Sequence, residues 1–329
     1  MSDSEIYNYL ILIGPIIHAL SFGKLEIIEK AAIKVDLLSG KIVDLSETIP
    51  DIRDDCKVIE LGDNEFLCPG LIDTHHHAPQ TANLGLGLDR ELLQWLDHYT
   101  FPREKSFSNR STESIKQEYS QMAQRLVRGG TTTCVYFGSL QLEANKILVD
   151  SLIESGQRAV VGKVCMDQNS PVDYIESTED SIERTCEFIS YIKSKNTSLV
   201  EPVVTPRFAP TCSMNLMKKL GSISKENSCH IQTHVSENLA EVAWVKELFP
   251  ENGNYSQIYD EAGLLTDKTI LAHAIYLDEA EKSLIKERGA AISHCPNSNF
   301  ALGSGRLNLR DLLEKGITVS LGTDVSGGY

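Results

Sequence analysis

Residues 66–77 read FLCPGLIDTHHH. An apolar run passes Pro69 and Gly70 and ends in three histidines, two residues beyond Asp73. Side chains on a strand alternate between faces, so His75 and His77 point one way and His76 the other. Two imidazoles on one face at a strand end are able to hold one metal ion. The same run marks a change of pattern along the chain. Before it, 9–17 (YLILIGPII), 31–45 (AAIKVDLLSGKIVDL) and 57–67 (KVIELGDNEFL) are short apolar runs broken by Gly, Asp and Asn. LLSGKIV at 37–43 reads as two strands around a tight turn, so residues 1–65 are expected to form a small β-domain.

After residue 66, strand-like runs alternate with amphipathic stretches. The runs are 66–75, 131–138, 158–167, 200–208, 230–237, 269–274, 290–299 and 318–324. Between them, 111–130 places Ile115, Tyr119, Met122 and Leu126 on one helix face and stops at Gly129-Gly130. In 237–249 the in-step residues are Leu239, Val242, Val245 and Leu248. Eight strands alternating with helices predict an α/β fold, a (β/α)8 TIM-like barrel over 66–329. The competing doubly wound sheet is disfavoured because no GxGxxG follows the first strand. The long connection 78–110 is expected to cover the barrel mouth as a loop plus a short helix.

In such a barrel, chemistry gathers at the C-terminal strand ends. Six of the nine histidines lie there: His75, His76, His77, His234, His273 and His294. Glu237 follows His234, and Asp324 closes the eighth strand. His75, His77, His234 and Asp324 make a nitrogen-rich set that suits zinc well and iron less exclusively. His76 reads as a bystander, and His18, His98 and His230 as side chains with local partners.

Composition narrows the function classes. The chain has 46 acidic and 31 basic side chains, for a formal charge of −15, which opposes binding to nucleic acid. The apolar run 9–20 is short and holds Pro15, so it reads as a buried strand with no role in a membrane. Eight scattered cysteines without a CxxC, and an acidic opening, point to free thiols and a cytoplasmic protein.

The stretches PGLIDTHHH, HVSE, LAHA, SHCPNSN and GTD resemble the amidohydrolase superfamily. ELLQWLDHYTFPREKSF, GQRAVVGKVCMDQN, VTPRFAPTCS and HCPNSNFALGSG resemble its guanine deaminase branch. The resemblance runs from about residue 66 to the end. It implies one zinc per chain on His75, His77, His234 and Asp324, with Glu237 as proton shuttle and His273 beside the attacking water; Asp324, bordering both metal and water, is itself placed to take a proton. The resemblance implies guanine as the small-molecule substrate, Gln80, Arg207 and Phe208 as its contacts, xanthine and ammonia as products, and a homodimer. Two-metal members resemble one another in a carboxylated lysine near the fourth strand end. Here that place reads VTPRFAP, without a lysine, which favours one metal.

From the residues alone, Arg207 is either a donor pair for a base edge or half of a salt bridge holding a loop. Phe208 either stacks on a base or packs in the core. The zinc deaminases built on HxE and PCxxC are a different class, and this chain has neither pattern. Other readings are a related deaminase or chlorohydrolase acting on another heterocycle, or an inactive scaffold protein. Members of the resembled family extend beyond the GTDVSGGY end, so a missing last helix and an incomplete β-sandwich domain are expected.

Overall fold

β1 (Tyr9–Ser21), β2 (Lys24–Asp36) and β3 (Lys41–Ser46) pair antiparallel in sequence, and β4 (Cys56–Glu60) lies parallel to β1, giving the order β3-β2-β1-β4. This is a computed structural model, and it describes residues 7–50 and 52–328. The acidic opening, 1–6, and residue 329, both used in the sequence reading, lie outside the described residues. The turn between β2 and β3 is where LLSGKIV predicts it. Gly40 there has φ 66°, and the Asp36 carboxylate accepts from the amides of Leu38 (2.8 Å) and Ser39 (3.3 Å). Ile11, Ile13, Ala32 and Cys56 form the core of this small sheet.

The chain divides into two compact units at Gly70/Leu71. The residues Phe66–Gly70, read from sequence with the first barrel strand, fall in the first unit. Leu67 bridges to Ile16, and the strand begins only after Pro69 and Gly70.

The second unit contains β5 (Leu71–His77), β6 (Thr131–Phe137), β7 (Arg158–Gly162), β8 (Val164–Cys165), β9 (Val200–Pro206), β10 (His230–Val235), β11 (Thr269–His273), β12 (Ala291–His294) and β13 (Thr318–Leu321). The parallel order is β5-β6-β7-β9-β10-β11-β12-β13, with the short β8 added to β9. This is a nearly closed eight-stranded α/β barrel, and all eight runs expected from sequence contribute a strand. Between β13 and β5 the seam is held by a few specific bonds. The Asp324 amide donates to the His75 carbonyl (2.8 Å) and the His77 amide to that of Val325 (3.2 Å). The Thr74 hydroxyl lies 2.6 and 2.8 Å from those of Ser293 and Ser320.

The helix Thr112–Arg128 buries Ile115, Tyr119 and Met122 as its periodicity requires, with the Ser111 side chain capping it. The helix Leu239–Leu248 departs from its pattern. Leu239 is 63% exposed, while Glu241 is buried. Glu241 turns inward to close a capping box at Asn238, and a residue two positions away on a helix necessarily faces the other side. The connection 78–110 is more helical than expected, with turns at Ala78–Asn83, Leu92–Trp95, Leu96–Thr100, Phe101–Lys105 and Ser106–Asn109. Leu92, Trp95, Leu96 and Phe101 pack with Phe137 and Phe208. Among the described residues no helix is long and apolar enough to cross a membrane.

Candidate active site

Four side chains from three places in the barrel converge on one point: His75 and His77 at the end of β5, His234 on β10, and Asp324 just past β13. His77 Nε2 lies 3.2 Å from both His75 Nε2 and His234 Nε2. Asp324 Oδ1 lies 3.1 Å from His75 Nε2 and 3.3 Å from His77 Nε2. His234 Nδ1 is 2.7 Å from the Arg207 carbonyl. A carbonyl only accepts, so Nδ1 carries the proton and Nε2 presents a lone pair to the other three atoms. A tetrahedron with arms of about 2.1 Å has edges of about 3.4 Å, close to these separations. Three imidazole nitrogens and one carboxylate oxygen, all facing inward, therefore fit a divalent metal ion.

Burial keeps these imidazoles neutral and ready to ligate. It lowers the pKa of His75 and His234, and that of His77 to about 4. Burial alone would raise the pKa of Asp324, but the neighbouring His75 and His77 hold it well below the carboxylate range. The backbone is strained at the same place. His273 and Asp324 have φ 72° and 51°, in the left-handed region that costs non-glycine residues about 1–3 kcal/mol each.

Beside the quartet, His273 Nε2 lies 3.3 Å from Glu237 Oε2 and 3.8 Å from Asp324 Oδ2. Burial, and then the charges of Asp324 and Glu241, raise the Glu237 carboxyl well above its ordinary value. These groups open onto a cavity whose other wall includes Gln80, Arg207, Phe208, Leu92, Trp95 and Leu302. His77, His234 and Asp324 of the predicted metal set thus share this cavity with the predicted substrate contacts, and His75 adjoins them behind its wall. Arg207 is 2% exposed and does form a salt bridge, with Glu104, while still lining the cavity. Phe208 likewise does both, packing near Trp244 and facing the cavity.

Several functional neighbours escaped the sequence reading. Asn299 Oδ1 lies 2.8 Å from His273 Nδ1, Ser304 donates to Glu237 Oε1 (3.1 Å), and Glu104 sits behind Arg207. Asn299 and Glu104 lie inside stretches the resemblance had singled out, SHCPNSN and TFPREKSF, so their position was marked although their role was not. His76 is away from the metal set but not idle. Its Nδ1 is 3.3 Å from Asp73 Oδ2 and from Thr323 Oγ1 at the barrel seam. His18, His98 and His230 each have a local partner, in Glu26, the Gln94 carbonyl and the Lys268 carbonyl. His294 is not among the cavity's lining residues.

Barrel, strand-end histidines and closing aspartate agree with what sequence comparison finds: residues 66–329 match the Amidohydrolase family, and the chain belongs to it. Within that family the chain is similar to guanine deaminases. It is 44% identical to guanine deaminase of Dictyostelium discoideum over 331 residues, covering 96% of this chain and 73% of that protein. It is also 44% identical to guanine deaminase of Rattus norvegicus over 328 residues, covering 97% and 72%. The crystal structure of guanine deaminase from C. acetobutylicum with bound guanine superposes with a TM-score of 0.92 at 39% identity, covering 98% of this chain and 75% of that one.

Proposed function

We propose that this chain hydrolyses guanine to xanthine and ammonia, with zinc held by His75, His77, His234 and Asp324. The observation that carries the reading is that His77, His234 and Asp324 of the four-ligand set line the same cavity as Gln80, Arg207 and Phe208, with His75 Nε2 3.2 Å from His77 Nε2 completing the set. Similarity to guanine deaminases over nearly the whole chain supports the choice of base. Three nitrogens and one oxygen at tetrahedral separations favour zinc among divalent ions. All eight cysteines are free, which supports a reducing, cytoplasmic setting.

Zinc, when bound, acts as a Lewis acid that lowers the pKa of water to roughly 7. The protein's own groups supply the rest. Attack at C2 of guanine requires a proton on the adjacent N3, or the ring is unable to hold the charge. Glu237, whose burial favours its protonated form, is placed to deliver that proton and to accept one from the attacking water. Asp324 Oδ2 is the nearby alternative acceptor. His273 Nε2 faces both carboxylates and lies beside the oxygen on which charge develops. The exocyclic nitrogen departs as ammonia after gaining a proton. Arg207 and Gln80 address the polar edge of the base, and Phe208 and Trp95 enclose its faces.

The test is direct. The zinc-loaded chain is incubated with guanine, and ammonia and xanthine are followed. Turnover is expected, and Glu237→Gln should reduce kcat by about 100-fold or more while zinc content stays the same. A zinc-loaded, folded chain that leaves guanine unchanged overturns the proposal.

A further inference from the structure

Glu104 is fully buried on the short helix Phe101–Lys105, and it is not among the residues that line the cavity. Four donor contacts nevertheless converge on its carboxylate. Arg207 grips it with both terminal nitrogens, Nη1 to Oε2 at 2.6 Å and Nη2 to Oε1 at 3.2 Å. Gln80 Nε2 donates to Oε1 at 2.7 Å, and the Tyr174 hydroxyl donates to Oε2 at 2.8 Å. Three separate connections therefore meet at one group: the one after β5, the one after β8 and the one after β9. Three of the four contacts come from Arg207 and Gln80, the side chains proposed to read the base.

Arg207 has nowhere else to place its charge, being 2% exposed. An unpaired guanidinium at that depth is costly and draws anions. Paired fork to fork, it keeps its remaining N–H groups as aimed donors while its charge is cancelled. Gln80 is pinned in the same way. One N–H goes to Glu104, and its Oε1 lies 3.3 Å from the Ser326 amide, so the orientation of its amide is set before any base arrives. Burial alone would raise the Glu104 pKa, but the Arg207 charge and hydrogen bonds lower it, so the carboxylate stays ionised.

We infer that Glu104 is a positioning residue that sets both the aim and the net charge of the recognition wall, making it selective for a neutral base over an anionic purine. This rests on the reading of the cavity as a guanine site. Removing the charge while keeping the size, as in Glu104→Gln, frees the Arg207 cation and places a second donor against its donors. Guanine recognition then loosens while attraction for anions grows. A purely structural role would weaken both ligands together.

The experiment uses the zinc-loaded full chain as wild type, Glu104→Gln and Glu104→Asp. It measures kcat and KM for guanine, and the inhibition constant of xanthine at a pH where xanthine is its monoanion. Glu104→Gln should raise the guanine KM by about tenfold or more, the equivalent of one good hydrogen bond, with a smaller change in kcat. Its xanthinate inhibition constant should stay level or fall. Glu104→Asp, which keeps the charge, should recover part of the guanine KM without gaining affinity for the anion. Equal weakening of both ligands, or an unchanged guanine KM, overturns the inference. If Glu104→Gln does not accumulate as folded protein, Tyr174→Phe decides. That change removes one of the four donors and leaves the ion pair, and it should raise the guanine KM about threefold; the Leu140 amide, which donates to the same hydroxyl at 3.3 Å, also loses its acceptor, so the melting temperature should fall by a few degrees, and a wild-type KM refutes. A wild type that does not turn over guanine defeats the functional reading instead. Glu104 is then judged by calorimetric binding of xanthinate, which should be tighter in Glu104→Gln than in wild type, and equal or weaker binding refutes.

Discussion

Replacing Asp73 by alanine should loosen the barrel seam and the metal set together. Asp73 is 5% exposed on β5. Its Oδ1 accepts from the amides of His75 (3.2 Å) and Thr323 (3.0 Å), and its Oδ2 from the Thr323 hydroxyl (2.5 Å), with His76 Nδ1 at 3.3 Å. His75 lies on β5 and Thr323 just past β13, the two strands that no ladder joins, and Thr323 directly precedes Asp324. Asp73→Ala leaves two backbone amides without an acceptor. A buried orphan donor costs about 1–3 kcal/mol, so the loss is about 2–6 kcal/mol. For a barrel of this size that is a fall of roughly 5–20 °C in melting temperature. Because His75 and Asp324 are both displaced, zinc content should drop in the same variant. The assay is thermal unfolding with zinc and with chelator, alongside metal content by mass spectrometry. Asp73→Asn keeps an acceptor for both amides and should show less than half the shift. An Asp73→Ala protein that melts within about 2 °C of wild type and holds a full equivalent of zinc refutes the reasoning.

Other consequences are equally concrete. Gly322→Ala places a Cβ 2.7 Å from both the Cβ of His75 and the Oγ of Ser293, and 3.0 Å from the Sγ of Cys295. Such overpacking should cost about 1–3 kcal/mol and weaken zinc binding, read by melting and by competition with a chromogenic chelator; an unaltered affinity counts against the tight packing described. The metal-free chain should lose stability in acid. Burial lowers the His77 pKa from 6.5 to about 4, so between these values the unfolded chain binds more protons than the folded one. This contribution is complete above pH 6.5 and is lost as pH falls towards 4, amounting to roughly 3 kcal/mol for this group. Urea midpoints of chelator-treated protein across that range should decline, and less steeply in His77→Asn; parallel declines refute the assignment.

Much of this molecule is legible along the chain because it depends on local patterning. Strand periodicity separates His75 and His77 from His76 whatever the rest of the barrel does. The eight apolar runs become eight strands because each must bury its side chains between barrel interior and helices. The helix Thr112–Arg128 is readable for the same reason. The pattern fails where one polar side chain overrides it. Leu239 belongs to an apolar period but faces water, because Glu241 is drawn inward to cap its own helix. The connection 78–110 hides its helical turns because they are short, consecutive and interrupted by Pro102.

The partners of the site residues are another matter. Glu104 and Arg207 are 103 residues apart, Ser304 and Glu237 are 67 apart, and Asp73 and Thr323 are 250 apart. No periodicity encodes such pairs, since each exists only when a loop is laid across a particular strand end. Residue order alone determined a barrel carrying an HxH pair, two further side chains able to ligate a metal and a carboxyl beside them. Tertiary structure decided that the Arg207 charge is countered by Glu104, that Asp73 ties the seam to the metal set, and that burial pushes the Glu237 carboxyl above its ordinary value. The physical reason is that charge, acidity and orientation in a buried site are set by what lies within a few ångströms, and that neighbourhood is assembled from distant parts of the chain.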